Sequence, residues 1–352
     1  MSASIQPSVS IIIPTYNEED NIEAVVGGFL ASRYPNILEI LVVDGNSIDK
    51  TRDKVTELSN YYSKVKLLHN PYRIQSAALN IGLKTCRGDI FLRADAHCQY
   101  APDYVEKCIN TLLTTKAINV GGAQRFVAQG KFQAGVALAA NSILGNGGAK
   151  YRNPDYDGYV DTVFLGCMWS DNLLKLRGYS NQITNEDAEL NQRLLERYSD
   201  AIYVSSDIKV WYYPRRNWKS LWIQYFKYGR GRFLTTVKHT EDFQLRGKLP
   251  FIFICCAIVW AILDLLLPNL DLHTREIVIL GIIAVFAESL RVNLKLNGSF
   301  HKEVWRGNGK SPPSLLNRWL MCGIVIMTLP VAHCSGYAYQ LFRHKFLKIA
   351  DW

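Results

Sequence analysis

The chain lacks the cysteine patterns that hold small domains together. Its eight cysteines, Cys86, Cys98, Cys108, Cys167, Cys255, Cys256, Cys322 and Cys334, show neither zinc-ligand spacing nor a disulfide framework, which fits a reducing compartment. Glycine-rich phosphate loops are missing too. No G-x-G-x-x-G follows the first apolar run and no G-x-x-x-x-G-K-[ST] occurs, which weakens a dinucleotide or P-loop reading. Residues 1–8 are polar and the apolar run 9–14 is too short for a signal core. The expectation is therefore no signal peptide and a soluble half that stays in the cytoplasm.

What is present is uneven. The 352 residues are 48% hydrophobic, enough for a large core and some membrane. Residues 1–215 alternate short apolar runs with polar helical stretches and read as one soluble domain; 216–248 read as a basic interface segment, and 249–352 as a membrane region. The run 249–267 carries a single charge, Asp264, and approaches the roughly 20 residues that cross a bilayer core. The run 277–290 is shorter and spans only if its neighbours extend it. A third candidate, 319–342, is interrupted by Pro330 and Gly336, so a re-entrant or buried helix competes with a span. An apolar stretch at 132–144 is broken by Gln133 and Asn141 and predicts an amphipathic helix at the interface.

The net charge of +9 is concentrated beside these runs. Arg215, Arg216, Lys219, Lys227, Arg230, Arg232, Lys238, Arg246 and Lys248 are opposed only by Glu241 and Asp242, a pattern that places this stretch on the inner side against anionic lipid. Nucleic acid is discounted as a partner, because the patch abuts a hydrophobic run and no nucleic-acid-binding motif accompanies it. The basic stretch 291–318 again favours the cytoplasm, so the first two runs form a hairpin in a multi-pass membrane protein. The basic tail, Arg343 to Lys348, conflicts with three full spans.

The soluble half predicts an α/β fold. Strands over 9–14, 38–44, 65–69 and 89–92 are each separated by a helix-sized segment, the first helix (19–30) capped by Asn17, and such alternation implies a mostly parallel sheet flanked by helices. Ligands in such sheets sit beyond the carboxyl ends of the strands. Three polar segments fall there: Pro14-Thr-Tyr-Asn-Glu18, Asp44-Gly-Asn-Ser47 and, after Arg93, Asp95-Ala-His97. A carboxylate and an imidazole two residues apart on extended backbone can face one side and share a metal. Taken singly, Asp44 could cap a turn, Glu18 could sit in a helix's first turn, and Asp95-Ala-His97 could be a hydrogen-bonded surface turn.

Together with Val42-Val-Asp-Gly-Asn-Ser-Ile-Asp49 and Ala77-Ala-Leu-Asn80, these segments resemble the nucleotide-binding half of the family 2 inverting glycosyltransferases, which have the GT-A fold. Asn185-Glu-Asp187, Tyr228-Gly-Arg-Gly-Arg232 and the apolar tail extend the resemblance to the membrane-anchored branch that includes the succinoglycan-biosynthesis glucosyltransferase. The resemblance implies that Pro14, Tyr16 and Glu18 border a uridine pocket, that Asp44 accepts from the uracil ring, and that Asp95 holds ribose or metal. His97 stands where most of the family has a metal-binding aspartate, a departure that Mn²⁺ tolerates better than Mg²⁺.

Displacing a diphosphate from a sugar carbon needs a base near the acceptor and help for the leaving group. The resemblance assigns the base to Asp187, at the start of a helix predicted over 188–198, with Glu186 orienting it or touching the acceptor; a plain helix-dipole role is the competing account. Arg230 and Arg232 could pair with the diphosphate, or belong only to the lipid-facing patch. Arg73 and Gln75 could line the donor groove, and Asp161 and Gly166 could shape the sugar pocket. Trp222 and Gln224 lack the order and spacing of the Q-x-x-R-W element of processive polymerases. The expectation is an inverting transferase that moves a sugar, glucose on the branch resemblance, from a UDP-sugar to a lipid-linked acceptor. Its alternatives are a polyprenyl-phosphate sugar synthase and a non-catalytic scaffold.

Overall fold

A computed structural model describes residues 6–146, 148–238, 249–270 and 272–349. In chain order its elements are β1 (Val9–Thr15), α1 (Ile22–Leu30), β2 (Ile37–Asp44), α2 (Thr51–Tyr61), β3 (Val65–His69), α3 (Gln75–Thr85), β4 (Ile90–Arg93), β5 (Cys98–Tyr100), α4 (Tyr104–Thr114), β6 (Asn119–Gly122) and β7 (Gln124–Phe126). There follow α5 (Lys131–Ala140), α6 (Ile143–Asn146), β8 (Gly158–Tyr159), β9 (Phe164–Trp169), α7 (Ser170–Lys175), α8 (Glu186–Leu195), β10 (Ile202–Val204) and β11 (Val210–Tyr212). The last part is helical: α9 (Trp218–Lys238), α10 (Leu249–Leu266), α11 (Thr274–Leu296), α12 (Phe300–Glu303) and α13 (Leu315–Lys345). Arg246, Lys248, Glu241 and Asp242 of the basic patch lie outside the described residues.

The chain divides into two compact units, one of residues 1–125 with 149–212 and the other of 126–148 with 213–352. In the first, an eight-stranded sheet runs in the order β3-β2-β1-β4-β9-β6-β10-β8. Val9–Thr15 and Ile37–Asp44 are nearly continuous apolar runs because parallel strands are covered on both faces. β1 lies parallel to β2 on one side and to β4 on the other, with Thr15 opposite Asp44 and Ile12 opposite Arg93. The chain thus steps outward from β1 to β3 and then crosses to β4. That reversal opens a crevice beyond the ends of β1 and β4, where such sheets bind ligands. Ile12, Leu41, Phe91, Met168, Leu190, Leu194 and Ile202 form the core that carries α8 on the sheet.

The run 160–166, whose alternation reads as a strand, pairs only from its later part. Leu165 has a left-handed backbone (φ 58°), and only Phe164–Trp169 pairs, antiparallel to both β4 and β6. The helix expected from residue 19 begins at Ile22, and Asn17 is no cap. Its own backbone is left-handed (φ 54°), its N–H donates to Ser47 Oγ, and its side-chain oxygen accepts from Ile48 N. Asn17 therefore splices the loop after β1 to the loop after β2.

In the second unit, α11 and α13 are long and apolar enough to cross a membrane, with 18-residue windows of mean hydropathy 2.0 and 1.6. The short run 277–290 gains its length from both flanks, and Pro330 does not break α13, which is one helix of 31 residues. The apolar part of α10 is shorter than those two. Between residues 132 and 144 the structure holds a helix, α5, but not the one-sided surface helix expected: Gln133 to Ala139 are all buried. A helix apolar on every side belongs in a core, and Gly135 lies against Met321 of α13.

The same logic fixes α9 on α13. A Cβ at Gly229 would collide with the His333 carbonyl oxygen, and one at Gly336 with that of Phe226, so two glycines let the backbones touch. Gly336→Leu is expected to lower the melting temperature of the detergent-solubilised protein, by overpacking worth about 1–3 kcal/mol or more. Gly281→Leu on α11, where nothing lies within 4 Å of the added carbon, should leave it unchanged. Equal melting curves for both variants would remove the packing account.

Candidate active site

Each segment expected at the strand ends is anchored by its neighbours. Gly45 N donates to Thr15 O at 2.8 Å, and Gly45 lies against the Arg73 Cα and the Tyr16 Cβ, so Tyr16, Gly45 and Arg73 meet at one edge of the sheet. Arg73 holds a left-handed backbone (φ 57°) and Tyr16 is half exposed. Asp44 caps its own turn: Ser47 N donates to its two carboxylate oxygens at 3.3 and 3.1 Å, and Arg52 Nε stands 3.7 Å away. The side chain of Asp44 is 1% exposed, a carboxylate enclosed by the turn it caps. Pro14 lies in β1, one residue before its last residue, Thr15.

Glu18 is not in a helix's first turn. Its N–H donates to Thr51 Oγ1 (2.8 Å), Asn21 Nδ2 donates to its Oε2 (2.7 Å), and His97 Nδ1 stands 3.1 Å from its Oε1. The ring of His97 also meets Tyr212 edge-on, 5.3 Å between centroids. Asp95 is held by its backbone, where Tyr100 OH both accepts from Asp95 N (2.7 Å) and donates to Asp95 O (3.0 Å). Its carboxylate receives Gln75 Nε2 at 3.2 Å and Arg93 Nε at 3.3 Å, both on Oδ1.

Arg93 is the residue that sequence reasoning passed over. It is buried, pairs with Asp95 through Nε, and reaches Glu186 Oε1 through Nη1 at 3.2 Å. Burial alone would favour the neutral guanidine, but Asp95 and Glu186 outweigh it and hold the group protonated. One guanidinium thus bridges the end of β4 and the start of α8. The opening turn of α8 carries Glu186, Asp187 and Glu189, acids that the helix dipole favours there, after Asn185 in a left-handed conformation (φ 59°). Glu186 is turned inward, whereas Asp187 is half-buried and accepts from Ala188 N through Oδ1 at 2.7 Å. Asp187 is thus the more accessible of the two carboxylates.

The loop before α8 is tied to α3. Asn80 donates to Tyr179 O and accepts from Tyr179 N, both at 2.8 Å, and Ser76 Oγ donates to Gln182 O at 2.8 Å. The Ala77-Ala-Leu-Asn80 segment thus works by holding that loop. Gly166 abuts the side chain of Asn119, whose Nδ2 donates to Asn191 of α8; Asn191 in turn donates to Thr162 Oγ1 beside Asp161. Arg230 and Arg232 lie on α9 in the second unit. Arg230 Nε donates to Gln340 Oε1 at 2.9 Å and its guanidinium lies over the Tyr339 ring.

Burial pushes the Glu186 carboxyl up to about 7, Arg93 opposing and the Asp187 charge adding. A carboxyl that binds its proton more tightly when folded loses stability as pH rises from its ordinary range, near 4.5, through that value. The wild type should therefore become less stable across that window, and Glu186→Gln should flatten the slope. Melting temperatures at pH 5 and pH 8 check this, and parallel slopes would show that another group governs.

Among the described residues no three His, Cys, Asp or Glu side chains form a metal cage. Two ligands suffice where substrate phosphates complete the shell. Asp95 keeps Oδ2 clear of its protein hydrogen bonds, and His97, engaged at Nδ1, keeps Nε2. Asp95 and His97 fit a divalent ion bound with a diphosphate.

The family description "Glycosyl transferase family 2" matches residues 10–170. The succinoglycan biosynthesis protein ExoA of Rhizobium meliloti is 36% identical over 243 residues, 68% of this chain and 73% of that protein. The chain belongs to glycosyl transferase family 2. It is a glycosyltransferase. A second relative, at 27% identity over 82% of this chain and 88% of its own length, is the dolichyl N-acetyl-alpha-D-glucosaminyl phosphate 3-beta-D-2,3-diacetamido-2,3-dideoxy-beta-D-glucuronosyltransferase of Methanococcus voltae. Among solved structures, the mannosyltransferase PcManGT of Pyrobaculum calidifontis, in complex with GDP-Man and Mn²⁺, superposes with a TM-score of 0.57 at 15% identity, over 97% of this chain and 89% of that one. That similarity establishes the GT-A-like fold.

Proposed function

We propose that the protein transfers a sugar from a UDP-sugar to a lipid-linked acceptor at the cytoplasmic face of a membrane, with inversion at the sugar carbon. The observation that carries this reading is the chain Asp95–Arg93–Glu186, which ties the donor-side loop after β4 to the opening turn of α8 where Asp187 sits. Donor and base then belong to one rigid edge of the sheet.

In the reaction, Asp187 takes the proton of an acceptor hydroxyl as its oxygen attacks the anomeric carbon. The bond from that carbon to the diphosphate breaks on the opposite face, and UDP leaves with the electron pair. Glu186, turned onto Arg93, is unavailable as a covalent nucleophile, which favours a single displacement and therefore inversion. A divalent ion held by Asp95 and His97, Mn²⁺ by preference, would neutralise charge on the leaving diphosphate. Tyr16, Pro14 and Arg73 would border the nucleotide, with Asp44 beneath the base.

The lipid-linked acceptor is supported by the dolichyl phosphate substrate in the name of the Methanococcus relative. The membrane is supported by α11, whose Ile277, Val278, Ile279, Leu280, Ile282 and Ile283 are all exposed, an apolar surface larger than a soluble protein leaves uncovered. Glucose as the sugar rests on the resemblance to the succinoglycan branch. Calorimetric titration of the detergent-purified chain with UDP and GDP, each with Mn²⁺ and with chelator, tests the donor. UDP-selective, metal-dependent binding is expected, and tighter GDP binding would overturn the UDP assignment. Chromatography of the lipid product separates an extended lipid-linked glycan from a sugar placed directly on polyprenyl phosphate.

A further inference from the structure

We propose that Glu18 is the positioning residue of the metal site: its carboxylate fixes the tautomer and orientation of His97, so that Nε2 is presented to the ion. This rests on the reading of Asp95 and His97 as metal ligands. Glu18 is itself immobilised at three points, by Thr51 Oγ1 on its N–H, by Asn21 on Oε2 and by His97 on Oε1. Thr51 is fully buried, and its hydroxyl also donates to Asp49 Oδ1, so the anchor is rigid. The imidazole is held on a second side by the Tyr212 ring, which meets Phe164 in turn.

Facing a carboxylate oxygen, Nδ1 is the nitrogen that carries the proton. The lone pair is then on Nε2, which has no protein partner among the described residues. A ligating histidine backed by a carboxylate is fixed in rotation and made more basic. The arrangement also answers a problem of charge. An aspartate at position 97 would bring a second negative charge to the ion; histidine brings none, and Glu18 restores one charge behind the ring. Positions 18 and 97 are therefore one functional unit.

The test is Mn²⁺ binding, at saturating UDP so that the diphosphate completes the shell, to the full-length, detergent-purified chain, followed by electron paramagnetic resonance for affinity and for the magnetic coupling of a histidine nitrogen to the ion. Wild type should show that nitrogen coupling, and Glu18→Gln should weaken Mn²⁺ binding by about 10–100-fold and diminish the coupling. In a His97→Asp background, which needs no carboxylate behind it, Glu18→Gln should cost under about twofold; the difference between backgrounds is the coupling of the two residues. Asn21→Ala, which frees one oxygen of Glu18 without removing it, should give a smaller loss in the same direction, and serves if Glu18→Gln fails to fold. An equal loss in both backgrounds, or unchanged Mn²⁺ affinity in Glu18→Gln, would overturn the positioning role while leaving His97 as a ligand. No nitrogen coupling in wild type, with His97→Ala binding Mn²⁺ as wild type does, would overturn the metal reading and this proposal together.

Discussion

Asp187→Asn should lower turnover by about 10²–10⁴-fold, the contribution a positioned general base makes, while nucleotide binding survives. The substitution keeps the shape of the side chain and removes its capacity to take a proton. Oδ1 of Asp187 accepts from Ala188 N, which leaves Oδ2 as the basic atom toward an acceptor. Glu186→Gln should be milder in turnover, because Glu186 touches Arg93 rather than the reacting atoms. Transfer of label from radioactive UDP-sugar into membrane lipid, measured with enzyme in excess over donor, reads the chemical step directly. Asp187→Asn within about threefold of wild type would place the base elsewhere and weaken the assignment of α8 as the acceptor side.

The parts of this arrangement that were legible in the sequence are those fixed by local pattern. β2 falls within a residue of the run that announced it, because a parallel strand buried on both faces reads as a nearly unbroken apolar segment; β3, the half-buried edge strand, matches its run as well. The polar segments after β1, β2 and β4 lie at one edge of the sheet because parallel strands bring their carboxyl ends together.

What was not legible depends on contacts far apart in the chain. Arg93 stood only as the residue ahead of Asp95-Ala-His97, and its partner Glu186 lies 93 residues away. Glu18 and His97 are 79 residues apart, so no spacing rule connects them. The Tyr228-Gly-Arg-Gly-Arg232 segment drew attention to its arginines, yet Gly229 is what lets α9 approach α13. The start of β9 was not legible because residues 160–163 are as apolar in pattern as the strand, and the left-handed Leu165 inside it is encoded by no apolar alternation. α5 was misjudged because a short apolar helix with two polar residues reads alike at a surface and in a core; Gln133 is satisfied there by Gln129 N and the Pro214 carbonyl oxygen.

Arg93→Met should be the most destabilising single change in the first unit. It leaves Asp95 and Glu186 buried without their cation, and breaking a buried ion pair from one side costs about 3–5 kcal/mol. Glu186 relieves part of that by holding its proton, for burial already carries it toward neutrality. Asp95, bonded also to Gln75, keeps one partner. Arg93→Lys restores a charge but not the fork that reaches two carboxylates from Nε and Nη1 at once, so it should recover part of the stability and little of the turnover. The pair Arg93→Met with Glu186→Met is the decisive comparison. Removing both charges leaves less to solvate, and thermal melting should return most of the way to wild type. Transfer activity should stay low, since nothing then ties the start of α8 to the loop that bears Asp95. If the double variant recovered activity along with stability, Arg93 would be a folding device alone, and donor and base would be aligned by the sheet without it.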